Sequence, residues 1–168
     1  YGIPVAVESL ATNVDEAVAI ANQIGYPVVL KIESPEITHK TDAGAVDIGI
    51  TGDAEVCAGF NRIISNAKSY NPTARINGVL VQEMVRGGRE MIIGMTQDPQ
   101  WGPTIVVGLG GLFVEVLKDI AIRRAPLNRS DVEAMLHELK GGRILHSFRG
   151  QAAADIDAFI EIVLRFSQ

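Results

Sequence analysis

The chain has 168 residues, with 15 Lys and Arg against 20 Asp and Glu, for a net charge of -5. Hydrophobic residues at 47% supply enough apolar mass for a core and, with 21% charged residues, exclude a disordered chain. Aromatic residues reach only 5%, too few for a base-stacking platform, and neither half is basic (5 basic and 9 acidic over 1–80, 10 and 11 over 81–168), so neither a nucleic acid nor an anionic membrane is expected as partner.

A helix is predicted over 13–24. Asn13 suits the N-cap, Glu16 follows at capping-box spacing, and Ala17, Ile20, Ala21 and Ile24 form an apolar stripe that Gly25 ends. Strands follow over 27–33 and 45–51. Asp53 opens a second helix over 53–69, closed by Asn71 and Pro72. A strong strand over 78–85 turns through Arg86, Gly87 and Gly88 into another over 89–96. Asp98 and Pro99 turn again, and a third strand over 104–107 runs into glycines. Extended segments are expected within 114–124, a helix from Ser130 to about 139, and a last helix over 153–166. Trp101 is expected to cover a core edge and Cys57 to pack. The pattern is α+β in two lobes, 1–80 and 81–168, with the strand over 81–85 as hinge.

The common catalytic fingerprints are absent: no Walker A sequence, no G-x-G-x-x-G after a strand, no H-E-x-x-H and no G-x-S-x-G. Cys57 is alone, which excludes an intrachain disulfide and fits a reducing cytoplasm. No apolar run has the length of a membrane span. The start has neither an initiator Met nor a signal-peptide pattern, so the chain is expected to be a piece of a longer protein.

Four local features carry chemistry. In 28–33, Val28, Leu30 and Ile32 share one strand face and Lys31 and Glu33 the other. Lys31 is either part of a solvated face or a point charge aimed at phosphate. The polar stretch 34–44 holds His39, Lys40 and Gly44. It is either a surface loop or one in which an imidazole accepts a phosphoryl group beside a steadying cation. Gly108, Leu109, Gly110 and Gly111 form either a tight turn or an anion-cradling nest. Beyond them Glu115, Asp119 and Arg123, spaced by four, suit a metal and a polyphosphate or a salt-bridged surface. Finally, Gln82, Glu83, Met84 and Val85 end a strand whose exposed backbone suits an adenine edge. His137 reads as a surface residue, and His146 is ambiguous.

In this order, YGIPV, IGYPVVLKIESPEITHKTDAGAV, GVLVQEMVRGGREMIIGMTQDPQWGP and GLGGLFVEVLKDIAIRRAPL resemble the ATP-grasp domain of NDP-forming acyl-CoA synthetases. They are nearest the β part of ADP-forming acetyl-CoA synthetase, and succinyl-CoA synthetase is more remote. The resemblance implies an ATP-grasp fold of two α/β lobes with a nucleotide cleft between them, and ATP or ADP with Mg²⁺ as cofactors. It implies that Lys31 contacts the phosphates, that Glu83, Met84 and Val85 meet adenine, and that Glu90 lies by the sugar. Gly108, Gly110, Gly111 and Arg123 hold the triphosphate, Glu115 the metal, and Lys40 and Gly44 support the loop, Gly44 as a hinge. His39 relays a phosphoryl group toward a CoA-binding domain or α subunit, which handles CoA and a small carboxylate.

Ala45 and Ser147 depart from glycines common in the family. The chain stops at Gln168, before an acidic metal-binding strand, so an excised domain unable to turn over alone is expected. Two rivals share parts of the pattern: an acyl-CoA-sensing regulatory region of a protein lysine acetyltransferase, and another ATP-dependent carboxylate ligase.

Overall fold

The computed structural model describes residues 1–111, 118–147 and 152–168. These belong to two compact units, 5–86 and 87–168 with 1–4. The division falls after Arg86. A boundary at 80/81 would cut a strand that is paired along its whole length with its neighbours.

The unit over 5–86 contains β1 (Glu8–Ala11), α1 (Val14–Ile24), β2 (Val28–Glu33), β3 (Val46–Ile50), α2 (Asp53–Tyr70) and β4 (Gly78–Glu83). The strands form one antiparallel sheet in the order β1-β4-β2-β3. The period-2 expectation for β2 holds: Val28, Leu30 and Ile32 are fully buried, Lys31 and Glu33 partly exposed. Leu30 and Ile32 join Val79 and Val81 of β4 in a core with Ala17, Ala21, Val56, Phe60, Ile63 and Ala67 of the helices. Each fully buried Leu or Ile contributes about 1.5–3 kcal/mol.

The helix starts differ in detail from the sequence pattern. Asn13 caps α1 by accepting the Glu16 N–H at 2.9 Å, but the Glu16 carboxylate turns to Thr12, accepting its N–H at 2.7 Å and its hydroxyl at 2.8 Å. The α2 cap is Gly52, without a side chain; Asp53 lies in the first turn. Its Oδ1 accepts the Tyr26 hydroxyl at 2.6 Å and the Asn22 amide at 3.0 Å, clamping α2 to the end of α1.

Desolvation first, then the hydrogen bond to Asp53 and its charge, push the Tyr26 phenol up to about 12. The folded state therefore holds that proton more tightly than the unfolded chain. The clamp's contribution is complete below the ordinary tyrosine value of about 10 and is lost as pH rises toward about 12. Urea melts across this window are expected to show falling stability, and Tyr26→Phe should flatten that limb.

The second unit contains β5 (Met91–Asp98), β6 (Gly102–Leu109), β7 (Ile120–Arg124), α3 (Arg129–Glu138), a short 3₁₀ turn (Gly142–Leu145) and α4 (Ile156–Phe166). The strands form an antiparallel sheet in the order β5-β6-β7. Ile105, Val107, Leu109 and Ala121 pack against Val132, Met135, Leu136, Ile160 and Val163. Asn128, not Ser130, caps α3, because Asn128 and Asp131 bond each other's backbone N–H reciprocally. Asp155 caps α4 by accepting the Ala158 N–H at 3.0 Å, so that helix starts three residues later than the pattern suggests. Arg165 donates to the Gly2 carbonyl at 2.7 Å, tying the first residues to this unit. Trp101 is exposed rather than covering a core edge, and Cys57 is half-buried. Among the described residues no helix is long and apolar enough to cross a membrane.

Candidate functional site

Lys31 stands on the face of the first sheet turned away from α1 and α2. Strand register places Val29, Leu80, Val46 and Leu10 on that face with it. It is half-buried, and its ammonium donates to Gln82 Oε1. Gln82 Nε2 donates in turn to Glu8 Oε2 at 3.0 Å. A rigid strand thus holds a lysine among apolar neighbours, with one of its three donors engaged.

The loop after β2 is anchored more firmly than its polar sequence suggests. Ile37, Ala43 and Ala45 are buried, and Ile37 enters the core as a plug. Backbone hydrogen bonds from Ala43 to His39, Gly44 to Thr41 and Ala45 to Lys40 close the turn. Gly44 adopts φ +58°, its carbonyl accepts the Asn66 amide at 2.7 Å, and a Cβ there would lie 3.1 Å from that nitrogen. Gly44 is thus a corner latched by Asn66, in the left-handed backbone that glycine takes without steric cost. Ala45 buries its methyl without a left-handed backbone, so glycine is not required there. His39 stays exposed at the tip, with half-buried Lys40 beside it.

At the end of β4 the backbone is partly committed. The Glu83 N–H donates to the Val7 carbonyl at 2.9 Å, and the Glu83 carboxylate accepts the Val7 N–H at 3.0 Å. The Met84 N–H donates to the Pro27 carbonyl at 3.3 Å. Val85 is exposed, and its N–H has no partner among the described residues.

In the second unit, strand pairing brings Glu90 to the glycine turn. The Gly110 N–H donates to the Glu90 carbonyl at 2.7 Å. A Cβ at Gly110 would lie 2.9 Å from Glu90 backbone, and one at Gly111, where φ is +62°, 2.6 Å from the Glu90 carboxylate. Close approach therefore demands glycine here independently of any ligand. Gly108 lies just before the turn, opposite Ile120.

Arg123 is not gathered with these groups. It pairs with Ile105 in register, on the helix side of the sheet, and its guanidinium binds Glu138 of α3. Asp119 is buried and committed: its carboxylate accepts the Lys140 N–H at 2.9 Å and the Gly141 N–H at 2.8 Å. Asp119 precedes β7, which begins at Ile120, and the Asp119 and Arg123 side chains are bound to different partners. Glu115 lies outside the described residues. Among the described residues no three His, Cys, Asp or Glu side chains converge as a metal cage. Cavities of about 210 and 230 Å³ in this unit are lined by other residues, including His137, His146 and Phe159.

The side chains of Gln82 and Glu8 and the latch from Asn66 were not legible as site elements. Gln82 alone carried a signal, its alternation with Val81 on β4, but its partners depend on the order of the strands.

The sequence profile of the ATP-grasp domain matches residues 1–168. The chain is 51% identical over 168 residues to acetate–CoA ligase [ADP-forming] I of Archaeoglobus fulgidus, covering all of this chain and 24% of that protein. It is 45% identical over 168 residues to the acetate–CoA ligase [ADP-forming] I subunit beta of Pyrococcus furiosus, covering 72% of that subunit. Acetyl-coenzyme A synthetase 1 of Ca. Korarchaeum cryptofilum, solved with coenzyme A and Ca-AMPCP, superposes with a TM-score of 0.96 at 44% identity, over 99% of this chain and 72% of that one. A second structure of that synthetase, with Mg-AMPPCP and its phosphohistidine segment pointing towards the nucleotide binding site, gives 0.84 at 41%, over 99% of this chain and 70% of that one. The regulatory reading finds no support in these relatives. The chain spans about a quarter of the length of the first of these relatives, and by its match over residues 1–168 and its identity to the Pyrococcus subunit it belongs to the ATP-grasp domain family.

Proposed function

We propose that this chain is the nucleotide-binding domain of an ADP-forming acyl-CoA ligase and passes a phosphoryl group between ADP or ATP and an acyl-CoA site through a phosphohistidine. The observation that carries the proposal is the placement of His39, exposed on an anchored turn of the same unit that holds Lys31 on a helix-free sheet face. Lys31 supplies positive charge to the phosphates, and the exposed backbone at Val85 meets the adenine edge. Within the other unit, Glu90 and the turn at Gly108, Gly110 and Gly111 are the candidate nucleotide contacts. Mg²⁺ when bound would neutralise phosphate charge, and among the described residues Glu90, set against the glycine turn, is the carboxylate that would help hold it.

In the transfer, the acyl phosphate gives its phosphoryl group to a histidine of the CoA-binding part and releases the carboxylate. An imidazole nitrogen of His39 then attacks that phosphorus, the P–N bond to the partner imidazole breaks and its electron pair returns to that ring. In the second half an oxygen of the ADP β-phosphate attacks the phosphohistidine. The P–N bond breaks, its electron pair returns to the imidazole, and ATP leaves. Lys40 offsets the charge of the phosphorylated ring. The CoA-binding part, a partner subunit or a further domain, supplies the acyl phosphate and takes CoA and the carboxylate.

The test is labelling. The complete enzyme is given acyl-CoA and ³²P-phosphate without ADP. An acid-labile, base-stable label is expected on the segment carrying His39, and an ADP chase should convert it to labelled ATP. A chain that binds no ADP and takes no label that ADP can remove is incompatible with this function.

A further inference from the structure

Three side chains line up across three strands on the helix-free face of the first sheet. Glu8 on β1 is directly opposite Gln82 on β4. Gln82 pairs with Val29 on β2, and Lys31, two residues on, is its diagonal neighbour on the same face. The bonds follow this geometry: Lys31 Nζ to Gln82 Oε1, and Gln82 Nε2 to Glu8 Oε2. A primary amide is suited to this position because one end accepts from a cation while the other donates to a carboxylate. Neither charge is cancelled by the link.

We propose that Gln82 is a positioning residue for Lys31, fixing its ammonium on the sheet face and insulating it from the Glu8 carboxylate, so that its charge and remaining donors stay available to a phosphate-bearing ligand. The proposal rests on the reading of Lys31 as a phosphate contact. A lysine stem has several rotatable bonds, and an unrestrained ammonium near a carboxylate tends to pair with it. Of the other neighbours on this face, Val29, Leu80, Leu10 and Val46 are apolar, and Glu33, two residues along β2, makes no ion pair or hydrogen bond with Lys31 among the described residues.

The experiment measures ADP affinity of the complete enzyme by titration calorimetry in Mg²⁺ at two salt concentrations, with a denaturant melt of each variant. Gln82→Glu keeps the shape but puts a carboxylate on Lys31, and ADP affinity is expected to fall about tenfold or more, with a weaker salt dependence. Gln82→Leu removes both restraint and insulation, and a loss of roughly fivefold is expected. Adding Glu8→Gln to Gln82→Leu removes the competing anion and should recover part of that loss, a coupling that a merely structural role does not produce.

Lys31→Ala separates the two readings. If it weakens ADP binding while neither Gln82 variant does, the positioning role is overturned and Lys31 as a phosphate contact stands. If the Gln82 losses track the melts and Glu8→Gln restores nothing, Gln82 only stabilises the sheet. If Lys31→Ala binds ADP like the parent, both readings fall.

Discussion

His39→Ala is expected to lower phosphoryl transfer to ADP by about 1000-fold or more, the scale on which removing a covalent nucleophile acts. His39 is exposed and its side chain makes no hydrogen bond among the described residues, so the melting temperature should stay at the parental value. Its backbone carbonyl, which accepts from Ala43, is kept by alanine. Under the proposed function, acyl phosphate formation is assigned to the CoA-binding part and should continue. Rapid-quench labelling with ³²P followed by an ADP chase measures the step directly. Transfer to ADP at the parental rate in His39→Ala would show that the phosphoryl group bypasses this imidazole.

The largest stability effect is expected at Asp119. Its buried carboxylate accepts two backbone N–H groups, from Lys140 and Gly141, and its own carbonyl accepts the Leu109 N–H at 3.4 Å. These bonds join the start of β7 to the segment between α3 and the 3₁₀ turn. Alanine keeps the carbonyl but strands two donors away from water. A hydrogen bond to a charged group contributes about 1.5–3 kcal/mol, so a loss of roughly 3–5 kcal/mol is expected for Asp119→Ala. Asp119→Asn restores one acceptor but turns an NH₂ group toward the other donor, and should rescue little. Urea denaturation of both variants checks this. A loss under 1 kcal/mol would mean that water replaces the carboxylate.

The alternation of β2 was legible because one face is packed against helices and the other is not. Lys31 therefore fell on the open face from sequence alone. The ends of α3 and α4 were less legible, since Asn128 and Ser130 are both good caps and only the reciprocal bonds of Asn128 with Asp131 decide between them. The four-residue spacing of Asp119 and Arg123 pointed to a common face but not to which one. The register with Ile105 turns Arg123 toward α3, where Glu138 meets it. The Glu8–Gln82–Lys31 line depends on β4 entering the sheet between β1 and β2, an ordering that no local pattern encodes. The glycine turn was read as an anion cradle. Its packing against Glu90 is a second demand for glycine that comes from the residue just before β5.

The two units are made differently from the chain. Residues 5–86 are one continuous stretch, with every strand and helix of that core already present by Glu83. The other unit takes residues from both ends, and its core waits for Ile160 and Val163 of α4. On a ribosome the first can close while the second is still unfinished, its sheet apolar on the side that α3 and α4 will cover. During that interval β5–β7 are the exposed strands, and the growing chain is most vulnerable to aggregation there. Ribosome-bound nascent chains should thus acquire protease resistance in two steps, the first well before α4 is synthesised.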